Sequence, residues 1–184
     1  MERALRTWSV CVYCGSGGGI PGYYRRLAAE VGAGIAARGW QLVSGGGNVS
    51  MMGSLAGAAR AHGGRTVGVI PRALVDREVA DIEADELLIT DTMRERKALM
   101  DAHADAFLAL PGGIGTCEEL FEAWTSRALG LHAKPVVLLD PDGHYTGLLD
   151  WVDGLRSSGF LSADGLAGLV VTTEVQTALQ ACLG

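Results

Sequence analysis

The sequence lacks the features typical of membrane-spanning, nucleic-acid-binding and secreted proteins. No apolar run approaches the ~18 residues that span a bilayer, and the first fifteen residues lead into a strand-like run without the apolar region of a signal peptide. The net charge is −6, and no basic stripe alternates with aromatic side chains, which argues against nucleic acid as the main partner. We therefore predict a cytoplasmic protein with no membrane partner and no nucleic-acid partner.

Cysteine and histidine are too scattered to predict a metal site. Cys11 and Cys14 form a C-x-x-C motif without a second pair, and Cys11 lies inside an apolar run. Redox or zinc chemistry is one interpretation of this pair, and burial of small residues in a reducing compartment is the one we favour. The four histidines have no ligand spacing, so we predict no structural metal and no cofactor.

Lysine is also scarce, with only Lys97 and Lys134 in the chain, whereas glycine is abundant. The 27 glycines cluster at 15–22, 45–47 and 112–115, which indicates backbone that bends sharply or lies close to a ligand. The length of 184 residues fits one domain, and we predict a single domain over residues 1–184.

Short apolar strands alternate with helical patterns from one end to the other. Apolar residues follow one another within the strands, as in a parallel sheet covered on both faces. This order predicts an α/β fold, a doubly wound, Rossmann-like parallel sheet of about seven strands with right-handed crossovers. The predicted strands are Ser9–Tyr13, Gln41–Ser44, Thr66–Ile70, Glu86–Thr90, Ala106–Leu110, Pro135–Leu139 and Leu169–Val171. The predicted helices are Tyr23–Ala37, Met51–Ala61, Met93–His103, Cys117–Leu129, Tyr145–Ser157 and Val175–Cys182.

The glycine clusters follow predicted strands, where such sheets bind ligands. Gly17–Gly22 matches the dinucleotide pattern G-x-G-x-x-G, but Pro21 interrupts it and the second strand ends without an acid for the ribose. We therefore disfavour NAD binding. The chain has no G-K-[ST], which excludes a Walker-type triphosphate site. We expect the other turns to line the crevice, through Gly15, Ser16, Gly45, Gly46, Gly47 and Met52.

The segment Pro111–Glu119 is the stronger nucleotide-binding candidate. A strand ends, Pro-Gly-Gly-Ile-Gly turns, and we expect a helix to begin at Thr116. Free N–H groups and the helix dipole would bind an anion there. The spacing from Thr116 to Glu119 also matches a capping box, in which Glu119 would only bond back to the backbone. Composition alone leaves both interpretations open.

A second T-x-x-E stands at Thr92–Glu95, where we assign Glu95 to a capping box. Arg96 and Lys97 then lie near the start of a helix, where the dipole disfavours cations. Their position suggests an anionic partner nearby, although an ordinary surface arginine remains the alternative.

Taken together, P-G-G-x-G-T-x-x-E at 111–119 and M-x-x-R-K at Met93–Lys97 strongly resemble the Lonely Guy family of cytokinin riboside 5′-monophosphate phosphoribohydrolases. The likeness covers nearly the whole chain, including Cys14-Gly-Ser and the glycine segment Gly45–Gly53. The resemblance implies hydrolysis of the N-glycosidic bond of N6-modified adenosine 5′-monophosphates, and also of AMP, to free base and ribose 5-phosphate. It also implies a homodimer with the site near the interface, which Trp124 and Leu129 support only weakly.

The resemblance also assigns residues to roles. Arg96 and Glu119 match the catalytic pair, with the carboxylate at C1′ expected to stay ionised in the first helical turn. The matching substrate-binding positions are Glu78, Lys97, Gly112, Gly113, Ile114, Gly115, Thr116, Cys117, Glu118 and Thr125. Glu118 and Thr125 share a helix face.

The sequence departs from the family pattern at two places. Arg94 stands where the family usually has histidine, and Ser44 where tyrosine is common. We expect both changes to bear on affinity or on the base accepted. Relatives are often called lysine decarboxylases, a chemistry we reject because Lys97 and Lys134 have no context for a pyridoxal phosphate Schiff base. The alternative function is a non-catalytic carrier of a nucleotide or of a molybdenum-cofactor-type phosphate ligand.

Overall fold

The computed structural model describes residues 7–184 as seven strands and seven α-helices. The strands are β1 (Ser9–Tyr13), β2 (Gln41–Ser44), β3 (Thr66–Pro71), β4 (Glu86–Thr90), β5 (Ala106–Ala109), β6 (Val136–Leu139) and β7 (Val170–Thr172). The helices are α1 (Gly22–Ala37), α2 (Ser50–Ala61), α3 (Met93–His103), α4 (Ile114–Ala128), α5 (Thr146–Ser157), α6 (Ala163–Ala167) and α7 (Val175–Ala181), and a 3-10 turn spans Arg72–Leu74.

The seven strands form one parallel sheet in the order β4-β3-β2-β1-β5-β6-β7. The chain moves outward from β1 to β4, then returns to the other side of β1 and moves outward again to β7. The strand order therefore reverses between β1 and β5, where open α/β sheets bind their ligands. The predicted Rossmann-like fold is confirmed.

Both faces of the sheet are covered, which explains the consecutive apolar residues in the strands. In β1, Val10 and Val12 pack into a core with residues of α1, α2 and α7. Cys11 and Tyr13, which point the opposite way, pack into a second core with residues of α3, α4 and α5. Alternate residues of one strand thus enter two different cores, as a buried parallel strand requires.

The helix bounds agree with the predicted ones within about two residues, except at α4. That helix begins at Ile114, before Thr116, and Gly113 is its N-cap without a side-chain hydrogen bond. Two elements were not predicted, the 3-10 turn and the five-residue α6. Both are too short for a helical hydrophobic period to stand out.

Among residues 7–184, no helix is both long and apolar enough to cross a membrane. The expectation of no signal peptide falls partly on residues 1–6, which lie outside the described residues.

Candidate functional site

A cavity of about 710 Å³ lies at the carboxyl ends of the central strands, where the strand order reverses. Its walls come from all three glycine-rich segments and from the start of α3 and α4. The predicted residues that line it are Gly15, Ser16, Gly45, Met52, Glu78, Arg96, Gly112, Gly113, Ile114, Gly115, Thr116, Glu118 and Glu119. Segments distant in sequence therefore meet in one crevice.

The turn before α4 presents free backbone N–H groups to this cavity. Because the helix begins at Ile114, the N–H groups of its first residues have no acceptor within the helix. Gly113 and Gly115 carry no side chain, so an anion can reach the backbone there. The turn has the geometry of an anion-binding site.

Thr116 does not cap this helix. It is the third helical residue and is buried, and α4 has no side-chain hydrogen bond at its N-cap. The capping box considered for Thr116 and Glu119 is therefore wrong, because the helix begins earlier than that interpretation requires. The Thr116 side chain instead packs beside Gly112, where any Cβ would overlap the threonine hydroxyl.

Arg96 is buried and is held by the carboxyl ends of two strands. Its Nε donates to the carbonyl oxygen of Val69 at 3.0 Å, and its Nη2 donates to that of Gly45 at 2.9 Å. Two carbonyls that accept from the same guanidinium fix the orientation of its plane. The surface-arginine alternative is thus excluded.

Glu78 approaches the same guanidinium from the segment after β3. Its Oε2 lies 3.8 Å from Arg96 Nη2 and has no hydrogen-bond partner among residues 7–184. The next residue, Val79, has a φ of 50°, which strains a β-branched side chain. The Asn48 N–H donates to the Val79 carbonyl at 2.7 Å and helps to hold this conformation.

Glu119 lies between two cavities and touches both. Burial raises the pKa of its carboxyl to about 7, against an opposing effect of the Arg96 charge. The expectation that Glu119 stays fully ionised in the first helical turn is wrong, because the residue stands in the second turn of α4 and is desolvated. Near neutral pH, this carboxyl exists in both protonation states.

Among the ion pairs of the described chain, none joins Arg96 directly to Glu119. The carboxylate that approaches Arg96 belongs to Glu78, and the charge of Arg96 acts on Glu119 from a greater distance. Both line the large cavity. The arrangement leaves space for a ligand between the cation and the carboxyl group.

The start of α3 matches the sequence prediction. Thr92 and Glu95 form the predicted capping box, with Thr92 Oγ1 accepting from the Glu95 N–H at 3.1 Å. Lys97, however, does not line the large cavity. It pairs with Glu118 and Glu122 and lines a second cavity of about 530 Å³, beside the exposed Arg94.

Four further predicted residues also lie off the large cavity. Cys117 and Thr125 are on α4 but not on the cavity wall, and Thr125 is exposed. Gly46 and Gly47 lie next to residues that line the cavity. Gly47 lies against Glu78 and Met52, and the Gly46 carbonyl accepts from the Asp81 N–H. Ser44 is buried, with its hydroxyl near the Gly46 N–H.

Several cavity residues escaped the sequence prediction, namely Ile20, Tyr24, Met51, Leu74, Met93, Met100 and His144. Most of them are apolar and give the cavity lining a hydrophobic character. His144 had one available signal, since it follows β6, whose carboxyl end lies at the same edge of the sheet as that of β5. Met93 belongs to the M-x-x-R-K motif and Met51 to the glycine segment Gly45–Gly53, but neither pattern assigned them to the site, and no motif includes the other residues.

The cysteines show no arrangement for redox or metal chemistry. Cys11 is fully buried and burial raises the pKa of the Cys11 and Cys14 thiols, and both cysteines are free. Among the described residues, no group of histidine, cysteine or acidic side chains is placed to hold a metal ion.

The fold and the crevice define a Rossmann-like α/β protein in which a glycine-rich turn, Pro111–Gly115, has the geometry of an anion-binding turn at the reversal of strand order. Residues 52–182 match the family model described as "Possible lysine decarboxylase". A cytokinin riboside 5′-monophosphate phosphoribohydrolase of Mycobacterium tuberculosis is 55% identical over 95% of this chain and 93% of its own. The corresponding Oryza sativa subsp. japonica enzyme LOG is 45% identical, over 89% of this chain and 67% of its own. The chain belongs to the Lonely Guy family, as its motifs predicted.

Solved structures show the same fold in proteins of another kind. The molybdenum cofactor binding protein of Rippkaea orientalis superposes with a TM-score of 0.73 at 23% identity, covering 96% of both chains. The molybdenum cofactor carrier protein of Chlamydomonas reinhardtii gives the same values. At this identity the likeness shows the fold alone.

Proposed function

We propose that this protein hydrolyses the N-glycosidic bond of N6-modified adenosine 5′-monophosphates, and of AMP, to the free base and ribose 5-phosphate. The observation that carries the proposal is the Glu119 carboxyl, placed in one cavity with the anion-binding turn and the fixed cation Arg96. The names of the relatives support the same reaction. The apolar side chains of Met93, Met100 and Ile20 in the cavity lining suit an alkylated base.

In this proposal, the turn holds the 5′-phosphate. The N–H groups of Gly113, Ile114 and Gly115 donate to the phosphate oxygens, and the dipole of α4 favours the negative charge. Because Gly112 has no side chain, Thr116 can approach the turn, and the Thr116 hydroxyl adds a donor. Arg96 faces the ribose or the phosphate with its remaining Nη1, whose only hydrogen bond among the described residues is the weak one to Met93 Sδ at 3.8 Å.

Glu119 acts at C1′ of the ribose. The bond from C1′ to the base breaks through an oxocarbenium-like ribose, which a nearby carboxylate stabilises. Glu119 also accepts a proton as water adds to C1′, and that proton is finally carried by the released base. A carboxyl with a pKa of about 7 suits both steps, since it can accept and release a proton near neutral pH.

The remaining substrate-binding positions fit less directly. Glu78, Glu118 and Gly112 line the cavity and can contact the base or the ribose. Lys97 lies off it but lines the second cavity and pairs with Glu118, so we propose that Lys97 acts through Glu118. Cys117 and Thr125 line neither cavity. Neither Lys97 nor Lys134, which pairs with Asp101, is placed for a Schiff base in the large cavity.

We further propose a homodimer with the site near its interface. Ile114 is 91% exposed at the cavity, and Leu131 beside the second cavity is 74% exposed. Leu129 is also exposed, whereas Trp124 is buried and donates to the Gly165 carbonyl, so it belongs to the core. Light scattering after gel filtration tests the dimer, and Leu131→Glu should shift it towards monomer.

The substrate test compares four compounds: AMP, isopentenyl-AMP and the two corresponding nucleosides. We expect release of base from the monophosphates and at least tenfold lower kcat/KM for the nucleosides, because they lack the group that the turn binds. Tight binding of a nucleotide without any release of base would contradict the hydrolase and favour the carrier. Equal rates with and without the 5′-phosphate would contradict the role of the turn.

A further inference from the structure

His144 lies in the loop after β6 and contacts the anion-binding turn. Its Nε2 stands 2.8 Å from the carbonyl oxygen of Gly112, and the residue lines the large cavity. A carbonyl can only accept, so this ring nitrogen carries the proton and donates. The sequence motifs gave His144 no function.

The hydrogen bond from His144 completes a series along the turn. The carbonyl of Leu110 accepts from Tyr145 Oη at 2.8 Å, that of Pro111 from the Gly15 N–H at 3.2 Å, and that of Gly113 from the Cys117 N–H at 3.0 Å. With the bond from His144 to Gly112, four consecutive carbonyls each have a donor. The orientation of every peptide in the turn is therefore set.

Fixing a carbonyl also fixes the N–H on the other side of the same peptide. The peptide is planar and trans, so the Gly113 N–H points opposite to the Gly112 carbonyl. Without the bond to His144, the peptide between two glycines would rotate easily, since neither carries a Cβ. His144 is thus the side chain that determines where the Gly113 N–H points.

The His144 ring is itself held in place on two sides. The Tyr145 ring packs against it edge to face at 4.7 Å between centroids, and the Tyr24 ring of α1 does so at 6.0 Å. Tyr24 Oη donates to Asp142 at 2.5 Å, which ties α1 to the loop that carries the histidine. The Tyr145 N–H donates to Asp140 at 3.1 Å and anchors the loop to the end of β6.

We propose that His144 is a positioning residue for the 5′-phosphate, which it serves by orienting the Gly112–Gly113 peptide of the anion-binding turn. This inference rests on the proposed function for the identity of the anion, a sugar 5′-phosphate. It adds a residue in the loop after β6, outside both motifs, Met93–Lys97 and Pro111–Glu119. The histidine acts through the turn and does not touch the reacting atoms.

The test replaces the donor while keeping the ring. His144→Phe retains an aromatic ring between the two tyrosines but cannot donate, whereas His144→Gln places an amide N–H near the position of Nε2. His144→Ala serves as a second variant without a donor if the phenylalanine disturbs the fold. His62→Phe is the matched control, because His62 is also exposed and its ring nitrogen lies 2.9 Å from a backbone carbonyl, at the far end of α2.

Calorimetry with ribose 5-phosphate measures the effect on the anion directly. We expect His144→Phe to weaken this binding about fivefold, as the loss of one hydrogen bond implies, and to raise KM for AMP or isopentenyl-AMP by a similar factor. The kcat should change by less than about twofold, and hydrolysis of the nucleosides should be unchanged. His144→Gln should recover most of the affinity, and His62→Phe should bind as the wild type does.

Wild-type affinity for ribose 5-phosphate in both His144→Phe and His144→Ala would overturn the inference. An equal loss of adenosine binding would also overturn it, since that result indicates a general disturbance of the cavity. If the wild-type protein releases no base from any monophosphate while His144→Phe still weakens the binding of ribose 5-phosphate, the proposed hydrolysis fails and the positioning role stands. If the wild-type protein does not bind ribose 5-phosphate at all, the positioning role fails, whereas the proposed hydrolysis is judged separately by the release of base.

Discussion

The guanidinium of Arg96 fills the space in which a side chain at residue 45 would lie. Its Nη2 donates to the Gly45 carbonyl at 2.9 Å, and a Cβ on Gly45 would overlap that nitrogen. The absence of a side chain at Gly45, in the second glycine segment, therefore makes room for the buried guanidinium of Arg96 from α3. Because Arg96 also bonds to Val69, it joins the ends of β2 and β3 to the helix.

Gly45→Ala should displace Arg96 and thereby slow the release of base, although the change substitutes none of the residues whose side chains are proposed to act. We expect a fall in kcat/KM of at least tenfold and a loss of stability of about 1–3 kcal/mol, as for overpacking in a buried site. Gly57→Ala is the matched control, because its Cβ would meet no atom within 4 Å and alanine favours a helix. Base release and thermal unfolding measure the two effects. Normal turnover in Gly45→Ala would show that the position of Arg96 does not matter.

Glu119→Gln tests the role that we propose for the Glu119 carboxyl at C1′. The amide has the same shape but neither carries the charge nor accepts the proton, so we expect kcat to fall by about 10²–10⁴-fold. Ribose 5-phosphate should still bind, because the turn is unchanged. Release of base from isopentenyl-AMP is the measurement, with circular dichroism to verify the fold. Near-normal turnover with an intact fold would refute the catalytic role.

The raised pKa of Glu119 predicts how activity depends on pH. If the ionised carboxyl is required, kcat/KM should rise with pH and level off above about pH 7. The negative charge of Glu118 contributes to the raised pKa of Glu119. Glu118→Gln should therefore move the rising limb to lower pH. A rate that falls as pH rises through 7 would mean that the protonated carboxyl is the active form.

The same pKa predicts a trend in stability. The folded pKa of Glu119, about 7, exceeds the ordinary value of 4.5, so the folded state binds more protons between these values. The contribution of Glu119 to stability should therefore fall as pH rises from about 4.5 through about 7. Denaturant unfolding of wild type and Glu119→Gln across this range measures it. The free energy of unfolding of the wild type should decline relative to the variant, and a constant difference would contradict the shift.

Thr116 distinguishes phosphate binding from support of the turn. Thr116→Ala removes the hydroxyl, and we expect KM for the monophosphate to rise about tenfold or more, as for a charge-assisted hydrogen bond. Thr116→Ser keeps the hydroxyl and should retain the affinity while losing some packing, because Thr116 is buried. If only the melting temperature of Thr116→Ala falls and KM holds, Thr116 does not bind phosphate.

Local patterns in the sequence determined much of this protein. The alternation of strands and helices predicted the parallel sheet, because hydrophobic periodicity and chain connectivity are local properties. The capping box at Thr92 was also predicted correctly, since its hydrogen bonds join residues three positions apart. The two motifs predicted the family, and the glycine clusters predicted which strand ends would form the crevice.

Only the tertiary structure determined the start of α4, the protonation of Glu119 and the contacts of Arg96 and His144. The start of α4 at Ile114 separates Thr116 from its expected capping role, although Thr116 and Glu119 have the same spacing as Thr92 and Glu95. The protonation of Glu119 depends on desolvation by segments distant in sequence, and no local pattern reports that burial. The contacts of Arg96 with β2 and β3, and of His144 with the turn, arise because the order of the strands places their carboxyl ends side by side.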